Sequence, residues 1–232
     1  MKLLGLSTAE NECSLALTYD GMLVCEQLWA AKLTHSRRLL GMIGHMLEKH
    51  AGITIDDVDG FVAARGPGSF TGLRIGISVA KALAFAGQKP VAGISSLDGI
   101  GFRFAWSSIP VCVMMDARRG EVYCAVYRFE KGCLVRKSCE QVLNPEKALD
   151  NLQECGPVLF AGSGVRVYRN IIETLCRDSV IAHDFLHSVS ASAMLSCVIG
   201  DDGFFDRPEN MLYPNYIRKS DAQLKFEKKQ VY

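Results

Sequence analysis

The densest run of residues able to do chemistry is Gly66-Pro67-Gly68-Ser69-Phe70-Thr71-Gly72-Leu73-Arg74-Ile75-Gly76. It joins a strand-like run to a helical one, so the free amide groups at the helix start point into the loop. The glycines there allow close approach and unusual backbone angles. Ser69 or Thr71 could cap the helix. Such a loop can hold a phosphate, and it serves equally well as a structural turn that lets helix and strand pack closely. It is not a P-loop, because no Lys follows the last glycine of a G-x-x-x-x-G-K-[ST] string. Nor is it a dinucleotide fingerprint: its strand is not the first of the chain, and no acidic residue ends the next strand, Pro90 to Ile94. Ser69 also lacks a nucleophile elbow, since Phe70 stands where G-x-S-x-G needs its last glycine.

A second group is Asp116 with Arg118, Arg119 and Glu121. These charges either line a cleft or cap a surface hairpin. Five histidines offer little to a metal. His35, His45 and His50 are ten and five apart, so they cannot share a helical face as i, i+4 ligands would. His183 and His187 do have that spacing but lack a third ligand, and they read as surface residues of a connecting loop. Nine cysteines, odd in number and without a C-x-x-C pair, argue against a zinc or disulfide framework. Several of them (Cys25, Cys112, Cys124) lie in apolar runs, where a free thiol acts as a small hydrophobe. No metal site and no cofactor are expected, beyond weak ATP or ADP binding.

Elements of an α/β protein must position these groups. Leu3 to Thr8, Cys13 to Thr18 and Met22 to Trp29 read as three strands, with Asp20-Gly21 as a hairpin turn. Helical spacing follows from Ser36 to His50, then a strand at 60–64, a helix at 71–86, a strand at 90–94 and a helix near 96–104. The order repeats: strands at 111–116, 121–129 and 133–138, a helix at 145–153 and a strand at 158–161. A helix at 165–176, a strand at 179–182 and a helix at 190–199 complete it. This predicts two subdomains, residues 1–106 and 107–232, each a mixed sheet with helices on both faces. Two such units in tandem make the ribonuclease-H-like, actin-like ATPase architecture, in which the turn between the first two strands of each half faces a nucleotide cleft. Ser7, Thr8, Gly66, Gly68, Ser69, Asp116, Arg118 and Arg119 are the candidates for lining it.

Net charge is +1, and 49% of residues are hydrophobic. No global field pulls the chain onto a phosphate backbone, which disfavours a stand-alone RNA-binding module. Basic residues near the C-terminus, Arg218-Lys219 and Lys225 to Lys229, read as a solvated tail. The apolar runs are too short for a membrane span and no signal peptide is readable, so a cytoplasmic protein is expected. The first helix has a wide apolar face centred on Leu39, Met42, Ile43 and Met46, with Gly41 and Gly44 permitting close approach. The helix from Thr71 is apolar almost all round, with Arg74, Ser78 and Lys81 as a thin polar stripe, so it should be covered on most sides. Surplus apolar surface on these two helices, with Thr71, Arg74 and Ser78 at its edge, is the expected partner or dimer interface.

The string GPGSFTGLRIG, with LGLSTAENECSLAL before it and GISSL after it, resembles the hallmark of the TsaB (YeaZ) family. DARRGEVY at Asp116 to Tyr123, FAGSG at Phe160 to Gly164 and PNYIRKSDAQ near the C-terminus are similar to that family's later blocks, in the same order over nearly the whole chain. The resemblance implies a non-catalytic subunit of the complex that forms N6-threonylcarbamoyladenosine in tRNA. It implies pairing with the TsaD transferase through helices of the first half, a homodimer when alone, TsaE as a further partner, and contact with tRNA only through the complex. Where such proteins commonly read Asp-Thr-Ser, this chain has Ser7-Thr8-Ala9, so a carboxylate that would organise a hydrated metal is missing from those three residues. The H-x-x-x-H pair of TsaD-like enzymes has no counterpart in the first half. The competing reading is an independent actin-like nucleotide-binding enzyme or a glycoprotease-like peptidase.

Overall fold

A computed structural model describes residues 1–30, 35–150, 152 and 156–218, the side chains of 35–37 excepted. The basic residues from Lys219 onward lie outside the described residues.

In the first half, β1 (Lys2–Ser7), β2 (Glu12–Tyr19) and β3 (Met22–Ala30) form an antiparallel meander. There follow α1 (His35–His45), continued by a π-helical turn at Met46–Ala51, then β4 (Gly60–Gly66), α2 (Phe70–Gly87), β5 (Val91–Ser95) and the short α3 (Asp98–Gly101). The second half runs β6 (Val111–Arg118), β7 (Glu121–Glu130), β8 (Cys133–Lys137), β9 (Gln141–Leu143), α4 (Pro145–Leu149), β10 (Val158–Ala161), α5 (Ser163–Leu175), β11 (Ser179–Ile181) and α6 (Ala191–Ser196). The two sheets have the orders β3-β2-β1-β4-β5 and β8-β7-β6-β10-β11. Renumbered within its half, each reads 3-2-1-4-5, with the first strand central, antiparallel to the second and parallel to the fourth. The fold is thus the tandem ribonuclease-H-like, actin-like arrangement. β9, three residues pairing with Val122–Cys124 on the edge of β7 that β8 also pairs, is an addition too short to carry a readable pattern.

The central strands are buried on both faces. Leu3, Leu4 and Leu6 of β1, Phe61 and Val62 of β4, and Val111 and Val113 of β6 are at most 1% exposed. Each such side chain contributes about 1.5–3 kcal/mol of burial.

Three expectations need correction. First, the apolar face of α1 is spent inside the protein: Leu39, Ile43 and Met46 are 1%, 2% and 0% exposed, with α1 packed on α2 and the turn from Met46 packed on β3. Of that group only Met42 remains half-buried, while Arg38, Leu40 and Gly41 point outward. An amphipathic stripe shows which side is apolar, and here α2 and, at Met46–Ala51, β3 claim it before a partner can.

Second, α2 is not covered all round. Leu73, Ile77, Ala80 and Ala84, one face at helical spacing, pack inward, whereas Thr71, Arg74, Ser78, Lys81 and Phe85 are exposed, Phe85 to 88%. At 18 residues α2 is long and apolar enough, by length and composition, to cross a membrane. In this fold its inner face lies on β4 and β1.

Third, the chain beyond residue 107 does not all stay with the second sheet. α6 packs on β1, β2 and β4 of the first, and Met211 forms a bridge to Ala92 of β5. The backbone N–H of Asn215 donates to the Arg65 carbonyl at 2.7 Å. The first sheet therefore takes its second covering helix from the C-terminal segment.

Candidate functional site

A cleft of about 740 Å³ opens between the halves, where the β1–β2 turn faces the β6–β7 turn. Gly68, Ser69, Asp116 and Arg118 line it. Ser7, Thr8 and Gly66 are buried behind its wall, and Arg119 stands exposed at the tip of the β6–β7 hairpin without lining it.

The glycine-rich loop is clamped onto the β1–β2 turn. Ser69 N–H donates to the Ala9 carbonyl at 2.7 Å, and Thr8 Oγ1–H donates to the Gly72 carbonyl at 2.7 Å. A Cβ at Gly72 would stand 2.0 Å from the Thr8 carbonyl oxygen, and one at Gly68 2.4 Å from that of Ala9. These two positions require glycine because one backbone presses on another. Ser69 caps α2, its Oγ accepting from Gly72 N–H at 3.2 Å. The loop therefore serves as a structural turn that holds β4 and α2 close to the β1–β2 turn.

A carboxylate appears three residues after the position where such proteins carry Asp. Glu10 follows Ser7-Thr8-Ala9 in the same turn, and Ser163 at the start of α5 donates its hydroxyl to Glu10 Oε1. That hydroxyl also accepts from Asp116 N–H at 3.0 Å, so it ties the turns of both halves together. Glu10 is half-buried as a residue, but its Oε2 is shut off from solvent. Burial pushes its carboxyl up to about 7, helped by the nearby Glu12 charge and opposed by the Ser163 hydrogen bond and by Arg166. The sequence signal for Glu10 was only its place in the turn. Nothing local announces that Ser163, 153 residues away, closes on it.

Across the cleft, Arg118 owes its aim to a backbone irregularity. The β6–β7 register shifts between Asp116 and Arg118, and Arg118 sits in the left-handed region at φ 64°. Asp116 Oδ1 accepts from Arg118 N–H at 2.8 Å and holds the turn. Bulges of this kind redirect side chains beside sites. Arg166 from α5 and Arg218 from the returning C-terminal segment line the same wall. Arg218 Nη1 donates to the Ala117 carbonyl at 2.8 Å and to Glu121 Oε2 at 3.2 Å.

His187 is not a surface residue. Its side chain is 1% exposed, and its Nδ1 accepts from Gly162 N–H at 3.1 Å, which fixes the loop that presents Ser163. Burial, reinforced by Arg166, lowers its pKa and keeps the ring neutral for that hydrogen bond. His183 packs against Phe185 instead. Every described cysteine is a free thiol.

Comparison with known proteins agrees with this architecture. Residues 29–226 match the family model described as TsaD, tRNA N6-adenosine threonylcarbamoyltransferase. The chain is 35% identical to the tRNA threonylcarbamoyladenosine biosynthesis protein TsaB of Escherichia coli (strain K12) over 176 residues, 74% of this chain and 75% of that one. It is 30% identical to the protein of the same description from Bacillus subtilis (strain 168), over 75% and 76% of the two chains. Among solved structures, YeaZ from Pseudomonas aeruginosa superposes with a TM-score of 0.76 at 31% identity, over 93% of this chain and 99% of that one. With such identity over three quarters of full-length relatives, and a shared fold over nearly all of the chain, this chain belongs to the TsaB (YeaZ) family of tRNA threonylcarbamoyladenosine biosynthesis proteins.

Proposed function

We propose that this chain is a non-catalytic subunit of the complex that forms N6-threonylcarbamoyladenosine in tRNA. It binds and supports the TsaD transferase together with TsaE, in the cytoplasm, and meets tRNA only through that complex. Alone it pairs with itself. The observation that carries the reading is the sealed β1–β2 turn. Where an actin-like enzyme would turn backbone N–H groups toward nucleotide phosphates, the glycine-rich loop presses on this turn and the Ala9 N–H is spent on Ser7 Oγ at 3.3 Å. The carboxylate in that turn, Glu10, is hydrogen-bonded to Ser163 and titrates near neutrality, a poor centre for a hydrated divalent cation. This reading requires no cofactor, and adenine nucleotide binds weakly at most.

The test is reconstitution. The purified chain alone hydrolyses no ATP and modifies no tRNA, whereas omitting it from a mixture with TsaD, TsaE, tRNA and the threonylcarbamoyl donor abolishes modification. Turnover of ATP by the chain alone, scaling with its concentration, would replace the subunit by the independent enzyme. Modification at full rate without it would remove the supporting role.

A further inference from the structure

We infer that the cleft between the halves is a binding site for a small dipolar molecule, one carrying an ammonium and a carboxylate on a short skeleton, such as a free α-amino acid or a short peptide. Three features of the site support this, and each is independent of the assembly the protein joins.

The first is the balance of charge in its lining. The carboxyls of Glu12 and Asp116 and the guanidiniums of Arg118, Arg166 and Arg218 line the same cleft, beside a Glu10 carboxyl engaged with Ser163. A phosphate site gathers excess positive charge and backbone N–H donors. Here the first-half turn presents the Glu12 carboxylate, and its Ala9 N–H is spent on Ser7 Oγ at 3.3 Å, so a polyphosphate finds no matching donors on that side.

The second is how the charges are distributed. Glu10 and Glu12 stand on the β1–β2 side, while the arginines come from the second half and from the C-terminal segment that returns across it. Glu12 on the first-half side and the arginines on the other, with Asp116 among them, give the cleft both signs of charge, which suits a ligand with one charge at each end. Ser163 and Asn215 lie in the same lining, the first engaged with Glu10 and Asp116 N–H and the second with Glu140, so they fix the walls of the cleft.

The third is the backbone of Arg118. Arg118 is held at φ 64° beside a register shift, in a hairpin turn whose next residue, Arg119, is also left-handed. The side chain so aimed is 73% exposed and spends one nitrogen on Asp116, at 3.5 Å. Each of the three guanidiniums carries five N–H donors, so partners at Asp116, Asp184 and Glu121 leave donors for a carboxylate, which arginine grips in a bidentate fork.

The experiment is a titration of the full-length, isotope-labelled chain followed by amide NMR, with L-serine and glycyl-L-serine as probes. N-acetyl-L-serine and L-serine amide serve as analogues lacking one charge each, and magnesium ATP as the phosphate competitor. Saturable shifts confined to residues around Glu10, Arg118 and Ser163 are expected from at least one dipolar probe, with affinity in the millimolar range. Each blocked analogue should bind about tenfold more weakly. Arg118→Gln should weaken the probe by a similar factor with an unchanged melting temperature, because the side chain lies outside the packed core. The inference is overturned if neither probe moves a cleft amide, if the blocked analogues bind equally well, if Arg118→Gln leaves the affinity untouched, or if magnesium ATP occupies the cleft more tightly than the dipolar probes. None of these results depends on whether the chain supports TsaD.

Discussion

Glu10 shows how one side chain can carry the electrostatics of a site. Its carboxyl is drawn from the ordinary carboxylate range up to about 7 because ionisation places a charge where solvent is shut out. A folded-state pKa raised above the unfolded value means that stability is fully present below about 4.5 and is lost as pH rises through about 7. Glu10→Gln keeps an oxygen for the Ser163 hydroxyl and removes the buried charge. The variant is expected to be more stable than the parent at pH 8, by on the order of 1–3 kcal/mol, and nearly equal to it at pH 5. Thermal melts at the two pH values check this, and equal stabilities at both would mean that the carboxylate is well solvated. His187 illustrates the opposite case, a histidine whose neutral ring is the useful form. In both residues the chemistry depends on neighbours far away in sequence, Ser163 for Glu10 and Gly162 for His187. That is why the sequence, which places Asp116, Arg118, Gly68 and Ser69 at the cleft, does not point to Glu10, Ser163, Arg166 or His187.

At the scale of elements, α1 and α2 differ in how they use their apolar residues, and this decides where a partner can dock. Met46 and Ile43 are sealed in the core, so a charge there attacks the fold itself. The outward groups are Leu40, 57% exposed on α1, and Phe85, 88% exposed near the end of α2, with Arg74 stacked over the Phe70 ring at 3.8 Å. The subunit reading therefore predicts that Phe85→Asp and Leu40→Asp leave thermal unfolding within about 0.5 kcal/mol of the parent. The same changes should weaken copurification with TsaD about tenfold or more. Met46→Asp should instead lose the folded state. Pull-down of the two surface variants, with circular dichroism as the fold control, separates these outcomes; undiminished pairing would move the docking surface off these helices. Both helices were legible in sequence because an apolar stripe at helical spacing survives any context. Which stripe is covered was not legible: α6, which covers the far face of the first sheet, arrives from the other end of the chain. An alternating or helical pattern states that a face is apolar, and only the tertiary fold states what lies against it.

At the scale of the whole molecule, the two halves are locked together at a point well separated in sequence from the cleft turns. Lys137 of β8 lies 2.6 Å from Asp98 of α3 and 2.8 Å from Glu140, while the Tyr127 hydroxyl donates to Asp98 at 2.8 Å. Asn215 of the returning segment donates to Glu140 at 3.2 Å, so both halves and the C-terminal strap meet in one network. Burial alone would lower the Lys137 pKa, but the Asp98 and Glu140 carboxylates outweigh it and hold the ammonium above its ordinary value. These side chains are only 14% to 24% exposed, so removing the cation leaves two carboxylates facing each other with little water. Lys137→Met is expected to cost about 2–4 kcal/mol, and Asp98→Asn in the same chain should recover part of it by removing one of the stranded charges. The chain's two tryptophans report on the two sides: Trp29 is on β3 of the first sheet, and Trp106 packs against Gly132 in the β7–β8 hairpin of the second. Single-tryptophan versions followed through urea unfolding should give coincident transitions in the parent, because the lock couples the sheets into one cooperative unit. In Lys137→Met the two transitions should separate. Coincident curves in the variant would show that the α6 return alone, spanning from the second sheet to the first, suffices to hold the halves together.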